Sequence, residues 1–232
     1  MSKPFVNIHT HSARTDDNLI QIVNLDLNQP CSEQGYYSYG IHPWALDNVD
    51  SQIEESFSLL KERLQSPNVL ALGEAGLDKM HKDSFEKQID LFERQIDLSE
   101  VLQKPMILHD VKSNNEILAL RKKHKAKQPW ILHGFNGTEQ DIQQLTGQGL
   151  HLSVGESLLH SKRKICNSFK FIDLDFLFLE TDMSTTGIEA VYETAAKILD
   201  IDIAVLQRRL FANFARLFYS SQNPQNNAKP QK

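Results

Sequence analysis

His9 and His11 stand two residues apart in the run Ile8-His9-Thr10-His11. That spacing aims both side chains to one side of an extended strand, where a single ion could take both. Four more residues of metal-ligating type each end a short apolar run: Glu74 closes VLALGE, His109 closes PMILH, His133 closes WILH, and Asp182 follows LFLET. Four imidazoles and two carboxylates with no thiolate form a mixed nitrogen and oxygen set, suited to Zn²⁺, Mn²⁺, Fe²⁺ or Mg²⁺ rather than to a structural zinc knot. A catalytic zinc commonly keeps three protein ligands and an open position, so the set exceeds one ion's needs. Two divalent ions sharing a carboxylate are the natural solution. Such a pair makes a water acidic near neutral pH and clamps the attacking and leaving oxygens of a displacement, which predicts hydrolysis. Neither GxSxG nor a Walker-A pattern occurs, and Cys31 and Cys166 lie far apart outside any CxxC pair, so they read as reduced thiols rather than nucleophiles.

Residues so scattered need a scaffold that brings strand ends together. Eight short β-branched and aromatic runs recur along the chain: 5–9, 20–25, 36–41, 69–74, 105–109, 130–133, 150–154 and 177–181. Helical periodicity follows over 51–65, 84–103, 113–124, 139–147, 161–169, 188–199 and 203–218. In the second of these, Phe85, Ile89, Phe92, Ile96 and Ser99 share a face flanked by Gln88 and Gln95, a pattern fit for packing on a sheet. Alternating strands and helices without a composition break predict an α/β fold, a TIM-type (β/α) barrel over residues 1–219. The links 10–19 and 26–35 are too short for ordinary helical crossovers, so the first two units should be irregular. In a closed barrel all the carboxyl ends of the strands converge on one mouth, and every candidate ligand sits at such an end.

Composition is consistent with this reading. The 232 residues carry 25 Lys+Arg against 30 Asp+Glu, a net charge of −5, with 40% apolar residues; that excludes a disordered chain or a disulfide-built mini-protein. No h-region of a signal peptide and no run of membrane-spanning length is found, which predicts a soluble cytoplasmic protein. Residues 220–232, SSQNPQNNAKPQK, read as a disordered polar tail. His42, in GIHPW, also lies on the mouth face, where it either contacts substrate or braces the Pro43-Trp44 turn. His81, His124, His151 and His160 read as solvated surface groups.

The same residues, in this order, resemble the TatD family of metal-dependent hydrolases, deoxyribonuclease-like members of the amidohydrolase-type barrels, over nearly the whole chain. IHTH resembles the family's HxH, GIHPW its GxHP, and GEAGLD (73–78) its GExGLD. Gln88, Phe92 and Gln95 resemble its QxxxFxxQ helix, ILH its fifth-strand histidine, HGFNG (133–137) its HxFxG, and ETD (180–182) with NFARLF (213–218) complete the series. The resemblance implies two divalent ions (Zn, Mg or Mn), one held by His9, His11, Glu74 and Asp182 and the other by Glu74, His109 and His133, with Glu74 bridging. It also implies cleavage of phosphodiester bonds at DNA ends, often from the 3′ end, with Glu74 and Asp182 catalytic and Asp182 as the proton acceptor.

Three departures from the family pattern bear on the site and its substrate. Asn7 replaces the acidic residue that usually opens the first motif, which should alter the support of His9 rather than the ligand set, and Asp110-Val111 replace the Ser-Arg that often follows the fifth-strand histidine. Lys112 is then either a substitute phosphate grip or a solvated lysine on the following helix. Met183 to Gly187 replace a small residue, proline and an aromatic. Net acidity disfavours long duplex DNA. A short single strand or frayed end is the expected partner, with a base on Trp44 or Phe135; neither a membrane nor an obligate protein partner is expected. The alternatives are hydrolysis of a small phosphoester, amide or lactone, and a non-catalytic metal-binding barrel.

Overall fold

A computed structural model describes residues 3–47 and 52–219. Eight parallel strands neighbour one another in chain order: β1 (Phe5–Thr10), β2 (Leu19–Asn24), β3 (Tyr36–Tyr39), β4 (Val69–Asp78), β5 (Met106–Val111), β6 (Trp130–Leu132), β7 (His151–Val154) and β8 (Leu177–Leu179). The last strand returns to the first just beyond its end. His11 N–H donates to Asp182 O (3.2 Å), and the amides of Thr181 and Asp182 donate to His9 O (3.3 and 3.0 Å). These bonds nearly close the sheet into a TIM-type barrel. A buried clasp reinforces them: Asn7 Nδ2 donates to Thr181 Oγ1 (2.8 Å), while Thr181 N–H donates to Asn7 Oδ1 (3.0 Å).

Helices follow from the third strand onward: α1 (Ile53–Arg63), α2 (Phe85–Leu102), α3 (Asn114–His124), α4 (Glu139–Gly147), α5 (Ile165–Ser168), α6 (Ile188–Leu199) and α7 (Ile203–Phe214). As expected, no helix joins β1 to β2 or β2 to β3. Among the described residues no helix is long and apolar enough to cross a membrane. The expected segment 161–169 yields only the short α5, continued by a 3-10 turn over Phe169–Phe171, and α7 ends in a π-helical turn over Ala215–Tyr219. The helix start expected at Ser51 and the polar tail lie outside the described residues.

Strand alternation sorts the apolar residues into two buried clusters. Met106, Leu108, Trp130 and Leu132 pack with helix residues such as Phe92, Ile96 and Ile117. Ile107, Ile131, Phe178 and Val6 gather with Phe214, Leu217 and Phe218 and with no residue of α1–α6, so they fill the barrel interior. His109 and His133 have the parity of Ile107 and Ile131, which carries them onward to the mouth. His151 corrects an expectation. It lies on β7 and is only 8% exposed, with its ring beside Phe176 and Phe178, so it is a buried group rather than a solvated one.

Candidate metal centre

At the mouth one carboxylate gathers five imidazoles. Glu74 Oε2 faces His9 Nε2 (3.6 Å) and His11 Nε2 (3.7 Å). Its other oxygen, Oε1, faces His133 Nε2 (2.7 Å), His109 Nδ1 (2.8 Å) and His42 Nε2 (3.1 Å). Asp182 Oδ1 lies 3.5 Å from the Nε2 atoms of both His9 and His11. The structure thus brings together all six expected ligands and adds His42 to the second set.

The backbone around Glu74 explains two glycines. A Cβ on Gly40 would stand 2.4 Å from Glu74 O, and one on Gly76, at φ +143°, would stand 2.1 Å from His109 O. Only glycine lets β3 and β5 approach β4 this closely. Helix α2 then fixes the strand ends through two buried glutamines seven residues apart. Gln95 accepts from Ile41 N–H (2.8 Å) and donates to Ile41 O (3.1 Å), next to His42. Gln88 accepts from Asp78 N–H (2.8 Å) and donates to Asp78 O (3.2 Å). Asp182 sits at φ +51°, held there by its backbone bonds to β1.

Carboxylates also stand behind two of the histidines. Asp78 Oδ2 lies 3.6 Å from His109 Nε2, and Glu180 Oε1 lies 3.6 Å from His133 Nδ1. In each case the carboxylate faces the ring nitrogen turned away from Glu74, the arrangement that orients a metal-binding imidazole and raises its basicity. Sequence reasoning assigned neither residue a role. Asp78 was legible only as the fourth position after Glu74, and Glu180 only as the second before Asp182.

Burial pushes the Glu74 carboxyl toward its neutral form, but hydrogen bonds from His109, His11, His133 and His42 outweigh it and hold the group far below the usual carboxylate range. Burial, then repulsion from His133, lowers His9 against the pull of Asp182 and Glu74. Both ring nitrogens of His9 are buried without a hydrogen-bond partner. Five imidazoles are more donors than one carboxylate can satisfy. Mixed nitrogen and oxygen ligands in two sets, with buried unpartnered imidazole nitrogens, fit divalent metal ions.

The centre opens into a cavity of about 790 Å³ bordered by His11, His42, Trp44, Leu59 and Met183. His42 both braces the turn, accepting from Trp44 N–H at Nδ1 (3.2 Å), and borders the cavity. Trp44 is 49% exposed, with its indole N–H donating to Asp78 Oδ2 (2.8 Å). Phe135, expected to carry a base, is instead a core residue. It is 7% exposed, and a Cβ on Gly137 would come within 2.5 Å of its ring. Lys112 precedes α3 rather than riding on it, is exposed, and borders a second recess instead of the main cavity.

Known proteins carry the same framework. The "uncharacterized metal-dependent hydrolase YjjV" of Escherichia coli K12 is 29% identical over 150 residues, 63% of this chain; the match spans little more than half, 57%, of that relative's length. A "3'-5' ssDNA/RNA exonuclease TatD" of Citrobacter koseri is 29% identical over 147 residues, 62% of this chain and 55% of its own. Among solved structures, YjjV superposes with a TM-score of 0.80 at 21% identity, covering 93% of this chain and 98% of that one. A TatD family hydrolase from Entamoeba histolytica gives 0.75 at 16% identity, covering 94% and 99%. These two show the shared fold. The model of the TatD related DNase family matches residues 5–219, and the chain belongs to that family.

Proposed function

We propose that this protein is a two-metal hydrolase that cleaves phosphodiester bonds at the ends of short single-stranded DNA or RNA. The observation that carries the reading is the division of Glu74: Oε2 turns to His9 and His11, Oε1 to His109 and His133. A carboxylate so placed would bridge two ions, the first completed by Asp182 and the second by the histidines of β5 and β6. Divalent ions bound there supply an acidic water and neutralise charge on phosphate oxygens.

The chain's own residues do the rest. Asp182, on the rim beside His9 and His11, accepts the proton of the attacking water. Trp44 offers an exposed face on which a terminal base stacks, and its indole hydrogen bond to Asp78 fixes the ring. Support for a strand end as substrate comes from relatives named as ssDNA/RNA exonucleases. A small neutral ester or amide is the second reading, favoured by one feature: no lysine or arginine is among the described residues that border the large cavity.

Metal analysis after gentle purification, followed by incubation with Mg²⁺, Mn²⁺ or Zn²⁺ and end-labelled oligonucleotides, tests both readings. Close to two ions per chain and stepwise loss of terminal nucleotides are expected. Turnover of amide or lactone substrates with intact oligonucleotides would favour the second reading, and a metal-free inert protein would sink both.

A further inference from the structure

A second recess, of about 370 Å³, adjoins the metal centre, because His133 borders both it and the large cavity. Its border is polar and includes Lys112, Lys164, Asn114, Asn136 and Gln144. Two carboxylates also border it, and both are engaged. Asp110 accepts from the Ser113 N–H and O–H (2.9 and 2.6 Å), and Asp141 accepts from the Thr138 N–H and O–H (2.7 Å each). The ammonium groups are different: Lys112 and Lys164 are exposed and have no ion-pair partner among the described residues. The large cavity has the opposite character, with Asp26 and Glu55 on its outer border and no lysine or arginine among its described residues.

We propose that this recess is a phosphate subsite that takes the phosphodiester next to the one being cleaved. The inference rests on the nucleic-acid reading of the metal centre. A strand held at Glu74 by one phosphate stands where the two cavities meet at His133. Toward Asp26 and Glu55 its next phosphate meets carboxylates and, among the described residues, no lysine or arginine; past His133 it meets two exposed ammonium groups and the amide side chains of Asn114, Asn136 and Gln144, which offset the hydrogen-bonded carboxylates of Asp110 and Asp141. Charge directs the strand past His133 and leaves the terminal nucleoside to the Trp44 side. Lys112 and Lys164 come from different loops, one after β5 and one before α5, so the subsite exists only in the folded barrel.

The test is binding as a function of strand length. Fluorescently labelled, cleavage-resistant phosphorothioate di-, tri- and tetranucleotides are titrated by anisotropy in Mg²⁺ against wild type, Lys112→Gln, Lys164→Gln and the double variant. The wild type should gain about tenfold in affinity from the dinucleotide, with one bridging phosphate, to the trinucleotide, with two. Each single variant should lose most of that gain and the double variant all of it, while Lys164→Arg should keep it. A gain that survives in the double variant, or no gain in wild type, overturns the subsite. Turnover of a single-phosphate chromogenic diester by the wild type is read in parallel. If neither the chromogen nor natural oligonucleotides are cleaved, the proposed function fails by itself, and the binding series still decides the recess.

Discussion

Asp182 and Asp78 are both acidic and both near the imidazole cluster, yet their surroundings give them different work. Asp182 stands on the rim, with Oδ1 3.5 Å from two imidazole nitrogens. Asp182→Asn keeps the shape and removes the base, so turnover of a phosphodiester by protein that still holds its metal should fall about 10²- to 10⁴-fold. Full activity with metal still bound would remove Asp182 from the mechanism. Asp78 is 2% exposed and holds Trp44 while facing His109. Burial works against its ionised form, but hydrogen bonds from the Trp44 indole and the Met80 amide keep it ionised below the ordinary range. Asp78→Asn should lower metal affinity about 10- to 100-fold, the usual cost of losing a carboxylate behind a metal-binding histidine. Competitive titration with a chelating dye measures that loss independently of activity.

Among the elements, α2 and the β1–β8 seam decide where the chemistry sits. Gln95 replaces a missing strand neighbour for Ile41, satisfying both its N–H and its C=O in a buried place. Gln95→Leu leaves that pair without partners and should cost about 2 to 4 kcal/mol in urea unfolding. Because His42 is the next residue, the same variant should weaken metal binding more than an equally destabilising change far from the mouth. An unaltered metal titration would show that α2 supports stability alone. At the seam, Asn7 pairs with Thr181 rather than with His9, so the departure from an acidic residue at this position serves barrel closure.

For the molecule as a whole, the barrel holds a cluster of ligands together, so metal and fold stability are linked. Saturation of one site at a hundred times its Kd adds about 2.7 kcal/mol. Removing divalent ions with a chelator should therefore lower Tm, and re-addition should restore it; an unchanged Tm would argue against resident ions. His151 gives a separate acid sensitivity at the other end of the strands. Burial, then the Arg216 guanidinium, pushes it down to about 4 from an unfolded value near 6.5. The unfolded chain binds this proton first, so stability is full above pH 6.5 and is lost as pH falls toward 4. The loss amounts to about 3 kcal/mol. His151→Gln should flatten that part of the stability curve in unfolding experiments, and an identical slope in both proteins would dismiss the residue as its source.

The sequence by itself determined the eight strands, most helices, the irregular first two units and the candidate ligands, because strand and helix periods and ligand types are local properties of the chain. Residues at strand ends could be placed at one mouth because a closed parallel barrel has only one carboxyl face. What only the tertiary structure decided was which atoms meet. The division of Glu74 between two histidine sets, the entry of His42 beside Oε1, and the carboxylates of Asp78 and Glu180 behind His109 and His133 depend on side-chain directions across different strands. Phe135 and His151 depart from expectation for the same reason, since both rings are buried. Whether a ring at a loop or strand edge faces solvent depends on its neighbours across the fold, here Gly137 for one and Phe176 and Phe178 for the other, and no local pattern encodes them.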